Sequence, residues 1–582
     1  MLGVDGANKL KLIFPVVYLK MYFIFQIIYI FLKHEIRRIF LFFKFFFSKS
    51  FFLLKGTKTY NFDYYDNLIH SNASNGKILI TTFVNVYDYL KYEYLIGIQL
   101  SKIKKENIII LLSNKDINSL DFFKKLGVSK FIYFNDGNFL SRTFNLIKSY
   151  KILKNIKCIE DFINFTYQDL PVGKMIYTHH CRFSGIPTSS FIRPEYFILL
   201  SNILIYKKQF EKIVNKYNIS NIIESEPQFI PGSVITAVAL KKNIYVLSRV
   251  GGNNKISVRR INQISLFYEN RWKFNKKIFE EIKLKAKEYA IEKGKKIITN
   301  RFLEIDNVDK EIDQESVMLD SSKKISLIND YDKNKICKMF NWEYQKPIGI
   351  ILANDLTDGL FPGKWGVYRD NYIWLKKTIQ EASYNKEMNW LVKPHPNEIK
   401  NKVTLTTRNL FKHKKYDKNI VLFPKNYSIK NLPKIVDLVV SNHGSAGYEY
   451  PALGIPAITS GETIYSDLNI SYEAKNEINY FKYLKNAHEI KKLKSSTIEN
   501  ALIFIFIYSI FTKIDYKFVN PDYLAKNESE TFWQDLKSIN DNLKTDLDDL
   551  DDVFLKSFEY QISNNLKHTF DINLSKKLNL DL

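Results

Sequence analysis

Ten short apolar runs, in two series of five, constrain this 582-residue chain more than any other feature. The first series is "GKILITTF" (76–83), "NIIILLS" (107–113), "FIYFND" (131–136), "NIIESEP" (221–227) and "NIYVLSR" (243–249). The second is "PIGIILA" (347–353), "NWLVKPHP" (389–396), "NIVLFP" (419–424), "IVDLVVSN" (435–442) and "IPAIT" (455–459). Each is rich in β-branched or aromatic residues and bounded by Gly, Asn, Asp or Pro, as buried parallel strands are. Helical patterns such as "SLDFFKKLG" and "SVITAVALKK" lie between them. Strand–helix alternation predicts an α/β chain with two Rossmann-like, doubly wound parallel-sheet domains facing a cleft.

A Lys- and Glu-rich helical stretch (273–303) and a polar segment, "EIDNVDKEIDQESVMLDSSKK", separate the series. The expected domains are 59–330 and 331–515, followed by a polar helical tail, 516–582. Residues 1–58 form a basic, apolar helical segment. There "LIFPVVYLKMYFIFQIIYIFL" is interrupted by Lys20 and Gln26, and Arg37, Arg38, Lys44 and Lys49 stand among phenylalanines. Such a mixture suits a helix lying in the headgroup zone of an anionic inner membrane, with Lys and Arg snorkelling to phosphate. A single span and an ordinary core helix are the alternatives. The expected location is cytoplasmic, peripherally attached to the inner membrane.

Composition narrows the classes. Hydrophobic residues make up 46%, enough for large cores, so the chain is not disordered. Three scattered cysteines make neither a disulfide framework nor a CxxC metal pattern. The net charge of +25 fits an anionic membrane or phosphorylated substrates, and equally the Lys-rich coding of an AT-rich genome. No nucleic-acid-binding signature is present, so nucleic acid is not an expected partner.

In open parallel sheets ligands bind beyond the carboxyl ends of the strands, so chemistry is sought there. After "NWLV" comes "KPHPNE", where Pro394 and Pro396 stiffen the backbone around His395 beside Lys393. That pair suits an anion, with His395 as hydrogen-bond or proton donor to a departing phosphate. After "IVDLVV" come Ser441, Asn442, His443, Gly444 and Ser445, then a short helix carrying Glu449. Small residues admit a phosphate to the backbone, and a carboxylate one turn on can accept both hydroxyls of a ribose. Asp355 and Asp358 end the first strand of this domain. In the first domain Glu224 and Glu226 end a strand and are candidates to deprotonate an acceptor hydroxyl, as is Asp88. Arg182 is a candidate clamp for an anionic group. The neighbouring His179 and His180 lack a third ligand at suitable spacing, so no metal site is expected.

"WLVKPHPNE" followed by "DLVVSNHGSAGYEYPALGIPAITSG" and then "IYS" resembles the capsule polysaccharide biosynthesis family, including its Kdo-transferring members. The match covers residues 345–475; the first domain is alike only in architecture. The resemblance implies a GT-B-like glycosyltransferase of surface polysaccharide assembly, with the donor nucleotide held by the C-terminal domain. It places His395 at the donor phosphate, with Ser441 and Ser445 beside it and Glu449 near the ribose; Lys393, Pro396, Asn442, His443 and Gly444 are further candidates, from their position at the strand ends, for binding the donor nucleotide or its phosphate. The turn His443-Gly444-Ser445 departs from the Ser/Thr-rich run of many relatives, so donor base and sugar stay open, CMP being one candidate. The implied reaction is inverting transfer from a nucleotide-sugar to a glycan or glycolipid acceptor, without cofactor or metal, alongside other polysaccharide-assembly proteins. The rivals are a CDP-glycerol-type glycerophosphotransferase, a nucleotide-sugar 2-epimerase, and a non-catalytic scaffold or export component.

Overall fold

The computed structural model describes residues 15–54, 76–83, 87–113, 116–126, 128, 130–250, 255–261, 276–302, 328, 330–361, 366–413, 416–515 and 552–582. Among the described residues, thirteen strands run in chain order as β1 Lys77–Thr81, β2 Asn107–Ser113, β3 Phe131–Phe134, β4 Ile219–Ile223, β5 Tyr245–Val250, β6 Lys255–Ile261, β7 Ile348–Leu352, β8 Asn389–Lys393, β9 Ile420–Leu422, β10 Leu438–Ser441, β11 Ala457–Thr459, β12 Tyr472–Glu473 and β13 Ile514–Asp515. The ten expected strands all form, each within a few residues of its run.

The first sheet has the order β13-β6-β5-β4-β1-β2-β3. β1 to β5 pair in parallel, while β6 runs antiparallel to β5 and to β13. The second sheet has the order β12-β11-β10-β7-β8-β9, with every pair parallel. Both carry the doubly wound signature: the first strand of each series sits mid-sheet, and the winding reverses beside it. Because side chains alternate, Ile78 and Ile80 feed one core of the first sheet and Leu79 the other. Helices cover both faces, which is why the strands read as unbroken apolar runs. The fold is thus the α/β pair of Rossmann-like domains expected.

The described chain passes from the first half to the second and back, and Phe570 and Ile572 near its end again lie in the second core. Helices Lys276–Lys285 and Lys287–Phe302, grouped with the first domain on sequence, bury Ile278, Phe279, Ile282 and Ile298 in the second core. A Cβ on Gly294 would stand 2.2 Å from the Leu502 carbonyl oxygen, so this helix meets Ser495–Phe506 backbone to backbone. The tail then returns. β13 adds to the first sheet, Phe554 and Phe558 of helix Val553–Ser563 enter its core, and the Thr569 amide donates to the Val258 carbonyl at 3.0 Å.

In the N-terminal segment, helix Pro15–Leu54 packs by Ile27 and Phe31 against the first core. Its Glu35 is buried and accepts from Arg38 (2.5 Å) and from Arg142 Nε (2.7 Å). Among the described residues, no helix is long and apolar enough to cross a membrane.

Candidate functional site

The reversal of winding puts the carboxyl ends of β7 and β10 side by side. Where the winding reverses, the outgoing loops diverge, and topology alone opens a crevice there. Asn354 and Asp355 leave β7, and Ser441 to Ser445 leave β10. From β8, next to β7, comes Lys393-Pro394-His395-Pro396. A cavity of about 210 Å³ lies among them, and its lining includes Lys393, His395, Ser441, Gly444, Ser445 and Glu449. Pro396 and Asp355 also border it.

His395 is held by its own loop. The Asn397 amide donates to its Nδ1 at 3.2 Å, which leaves the proton on Nε2. Burial, with help from the charge on Lys393, lowers the imidazole pKa to about 4 against an opposing pull from Asp355. At neutral pH the ring is therefore an uncharged donor through Nε2, suited to hydrogen-bond an anionic oxygen. Asp355 buttresses this loop: its Oδ2 accepts from Asn397 (3.0 Å) and Asn401 (2.9 Å), and its Oδ1 from the Thr357 amide (3.0 Å). Those bonds make Asp355 a positioning group behind His395.

The turn after β10 is shaped from within. Ser441 Oγ donates to Asn354 at 3.2 Å and accepts from the Gly444 amide at 3.2 Å. Asn442 is buried, donating to Asn371 (2.8 Å) and accepting from Ser460 (2.6 Å); it holds the turn and is not part of the cavity lining. His443 lies near Gly359, also outside that lining. Ser445 caps helix Ala446–Ala452 without a side-chain capping bond. The smallness of the turn has two causes. At Gly444 a Cβ would crowd Ser441 Oγ at 2.9 Å; at Gly447 it would meet the Tyr465 hydroxyl at 1.9 Å. That hydroxyl donates to the Gly444 carbonyl at 2.8 Å, so Gly447 makes room for a tyrosine and not for a ligand.

Two cavity residues carried no signal in the sequence. Arg301, at the end of helix Lys287–Phe302, pairs with Glu449 Oε1 at 3.2 Å and so sets the direction of that carboxylate. Lys430 lines the cavity from the short 3-10 helix Ile429–Lys434 before β10. Cations from three separated segments thus border one space, with Asp355 and Glu449 as its acids.

The equivalent point of the first sheet, between β1 and β4, gathers acids. Glu224 is buried; its carboxylate accepts from the Thr81 hydroxyl and, at 2.9 Å, from the Glu226 amide. Burial raises its pKa to about 7, against the opposing pull of those bonds. Glu93 lies nearby and is raised well above the carboxylate range, by burial first and by Glu224 second. Glu226 is more open; it accepts from Tyr89 at 3.0 Å and from Gln228. Asp88 begins this same region, but its side chain lies outside the described residues.

One helix end touches both clusters. Arg182, at the close of helix Val172–Ser184, stands 3.7 Å from Asp355 and 3.8 Å from Asp358. The next residue, Phe183, packs on Phe229 at 5.4 Å, in the loop that follows Glu226. The end of this helix therefore contacts loops that leave both sheets. Further back, Tyr177 and Thr188 both donate to Asp370 at 2.7 Å, tying the halves together. His179 and His180 pack on Phe183 and Tyr196, and burial holds both well below the usual imidazole range.

No known protein family and no curated protein matches the chain. Among solved structures it is similar to the β-Kdo 2,7 transferase of Thermosulfurimonas dismutans KpsC, at 15% identity over 58% of this chain and 90% of that one, with a TM-score of 0.30. It is also similar to a glycosyltransferase from Rickettsia africae, at 15% identity over 82% and 100%, TM-score 0.24. A third is the UDP-GlcNAc 2-epimerase of Neisseria meningitidis, at 11% identity over 74% and 98%, TM-score 0.19.

Proposed function

We propose that this protein is a glycosyltransferase of surface polysaccharide assembly that moves a sugar from a nucleotide-activated donor to a glycan or glycolipid acceptor. One observation carries the reading: an uncharged His395 donor, the cations Lys393, Arg301 and Lys430, and the turn at Ser445 border a single cavity at a sheet's switch point. That set fits the diphosphate of a sugar nucleotide. A second cavity of about 160 Å³ shares the Lys393–Pro396 wall and continues to Phe423 and Tyr427, whose flat rings suit a base.

In the proposed inverting reaction the acceptor hydroxyl attacks the anomeric carbon of the donor. Its proton passes to a first-domain carboxylate, Glu224 or Glu226. The bond from the anomeric carbon to the phosphate oxygen breaks, and the leaving phosphate keeps the electron pair. His395 Nε2–H and Lys393 stabilise that charge as it develops, a contribution worth about 100- to 1,000-fold in rate for one aligned donor. Side-chain cations supply the positive charge, so the scheme runs without a metal. Glu449, once its pairing with Arg301 is shared, receives the ribose hydroxyls. The N-terminal helix keeps the enzyme at the cytoplasmic face of the inner membrane, near lipid-borne acceptors.

The test is a thermal-shift panel of CMP, CDP, UDP and GDP, followed by nucleotide release from the matching donor with wild type and His395→Ala. Stabilisation by one nucleotide, abolished turnover and a retained fold support the reading. CDP-glycerol turnover would transfer the site to a glycerophosphotransferase, and acceptor-free interconversion of UDP-sugars to an epimerase. No response to any nucleotide would leave a scaffold.

A further inference from the structure

The first domain presents an apolar surface built from two helices, not one. Helix Pro15–Leu54 turns Ile27, Phe31 and Glu35 inward. Its other sides expose Phe25, Tyr29, Leu32, Ile36, Ile39 and Phe40. Apolar side chains left exposed in such number over residues 21–40 mark an interaction surface. The neighbour Phe139–Leu153 does the same: it buries Leu146 and Leu153 yet exposes Leu140, Phe144 and Ile147, a stripe at helical spacing. The helices touch where Phe31 meets Phe139 (ring centroids 6.0 Å) and where Arg142 reaches Glu35.

Charge identifies the occupant. Lys33 and Arg37 are exposed on the first helix, and Lys148 and Lys151 on the second. Across both helices the sequence holds one acid, Glu35, and the two arginines beside it bury its charge in ion pairs. A protein partner would more often be met by a mixed rim of both signs. Exposed aromatic and aliphatic side chains interleaved along both helices with long cationic ones match an anionic bilayer surface, where rings enter the acyl boundary and ammonium groups meet phosphate.

We infer that Phe139–Leu153 and Pro15–Leu54 together form one rigid docking face for an anionic lipid bilayer, with Glu35 and Arg142 fixing the angle between them. The inference rests on the membrane placement proposed above and extends it from a terminal anchor to a surface of the folded domain. On that view the whole enzyme is oriented on the membrane, not tethered beside it.

The experiment is co-sedimentation of the full chain with phosphatidylcholine vesicles, with and without phosphatidylglycerol. Wild type should bind the anionic vesicles at least about tenfold more tightly, and Leu140→Glu/Phe144→Glu should weaken that binding at least about tenfold. These side chains are exposed, so circular dichroism and the thermal shift with nucleotide should stay as in wild type. Unchanged binding by the double variant overturns the inference and leaves the first helix as a simple anchor. Equal binding to neutral vesicles overturns the choice of an anionic surface. A concentration-dependent dimer that the glutamates dissociate, with no vesicle binding, makes a second copy the occupant. Lowered thermal stability with unchanged binding shows that another part of this chain covers the face. Failure here with a normal nucleotide response leaves the transferase reading intact; loss of both would implicate the fold.

Discussion

At its switch point the second sheet gathers cations and small residues around an open cavity, whereas the first sheet, at the same place, buries carboxyl groups. Topology is shared: in both, the first strand of the series is flanked by the second and the fourth. Burial separates them. The lysine and arginine side chains of the second site keep solvent contact, and His395 sheds its charge through desolvation. Burial likewise pushes Glu224 up to about 7 and Glu93 well above the carboxylate range. Desolvation thus yields a neutral donor on one side and a group near its titration point on the other. A donor for a leaving phosphate and a base for an acceptor hydroxyl need those two states.

The largest test of that contrast is Glu224→Gln. If Glu224 is the base, transfer falls about 100- to 10,000-fold while nucleotide stabilisation is retained. Normal transfer would move the role to Glu226 and break the contrast. His395→Ala comes next, with a loss of about 100- to 1,000-fold and a smaller nucleotide shift. Gly447→Ala probes the turn without touching the ligand. Its methyl group must displace Tyr465, so thermal unfolding should show a loss of about 1–3 kcal/mol.

Stability against pH sharpens the comparison further, because the two groups slope in opposite directions. Glu224 has a folded pKa of about 7 against 4.5 when unfolded. Between those values the unfolded chain releases the proton while the native one keeps it, so stability falls as pH rises. His395 has a folded pKa of about 4 against 6.5. There the unfolded chain binds the proton first, so stability is lost as pH falls through that range. Each slope is at most about 1.4 kcal/mol per pH unit. Urea titrations should show each slope vanish in Glu224→Gln or His395→Ala respectively. The smallest effect is expected for Arg301→Ala. Its partly exposed ion pair with Glu449 is worth about 1 kcal/mol or less, hence about fivefold in nucleotide affinity.

The ten strands could be read because a strand buried on both faces announces itself as a continuous apolar run. β6 was missed: "KISVRRI" carries basic residues and turns antiparallel, so no buried run marks it. β12 and β13 are too short for any pattern. The cavity was legible where chemistry sits beside a strand end, as with Lys393, His395, Ser441 and Ser445. Arg301 comes from a helix more than a hundred residues before the turn it meets, and only packing brings it there. Gly447 shows the converse limit. Its smallness was visible, but the cause is the ring of Tyr465, eighteen residues on.

The return of the chain to the first sheet has a mechanical meaning. A lobe hung on a single thread is free to swivel about that thread. This chain leaves the first sheet after β6 and rejoins it at β13, which pairs with β6 itself, so both attachments sit on adjacent strands at one edge of that sheet. Two attachments restrain the swivel that a single one would permit, and Phe570 and Ile572 of the tail, buried in the second core, restrain it further.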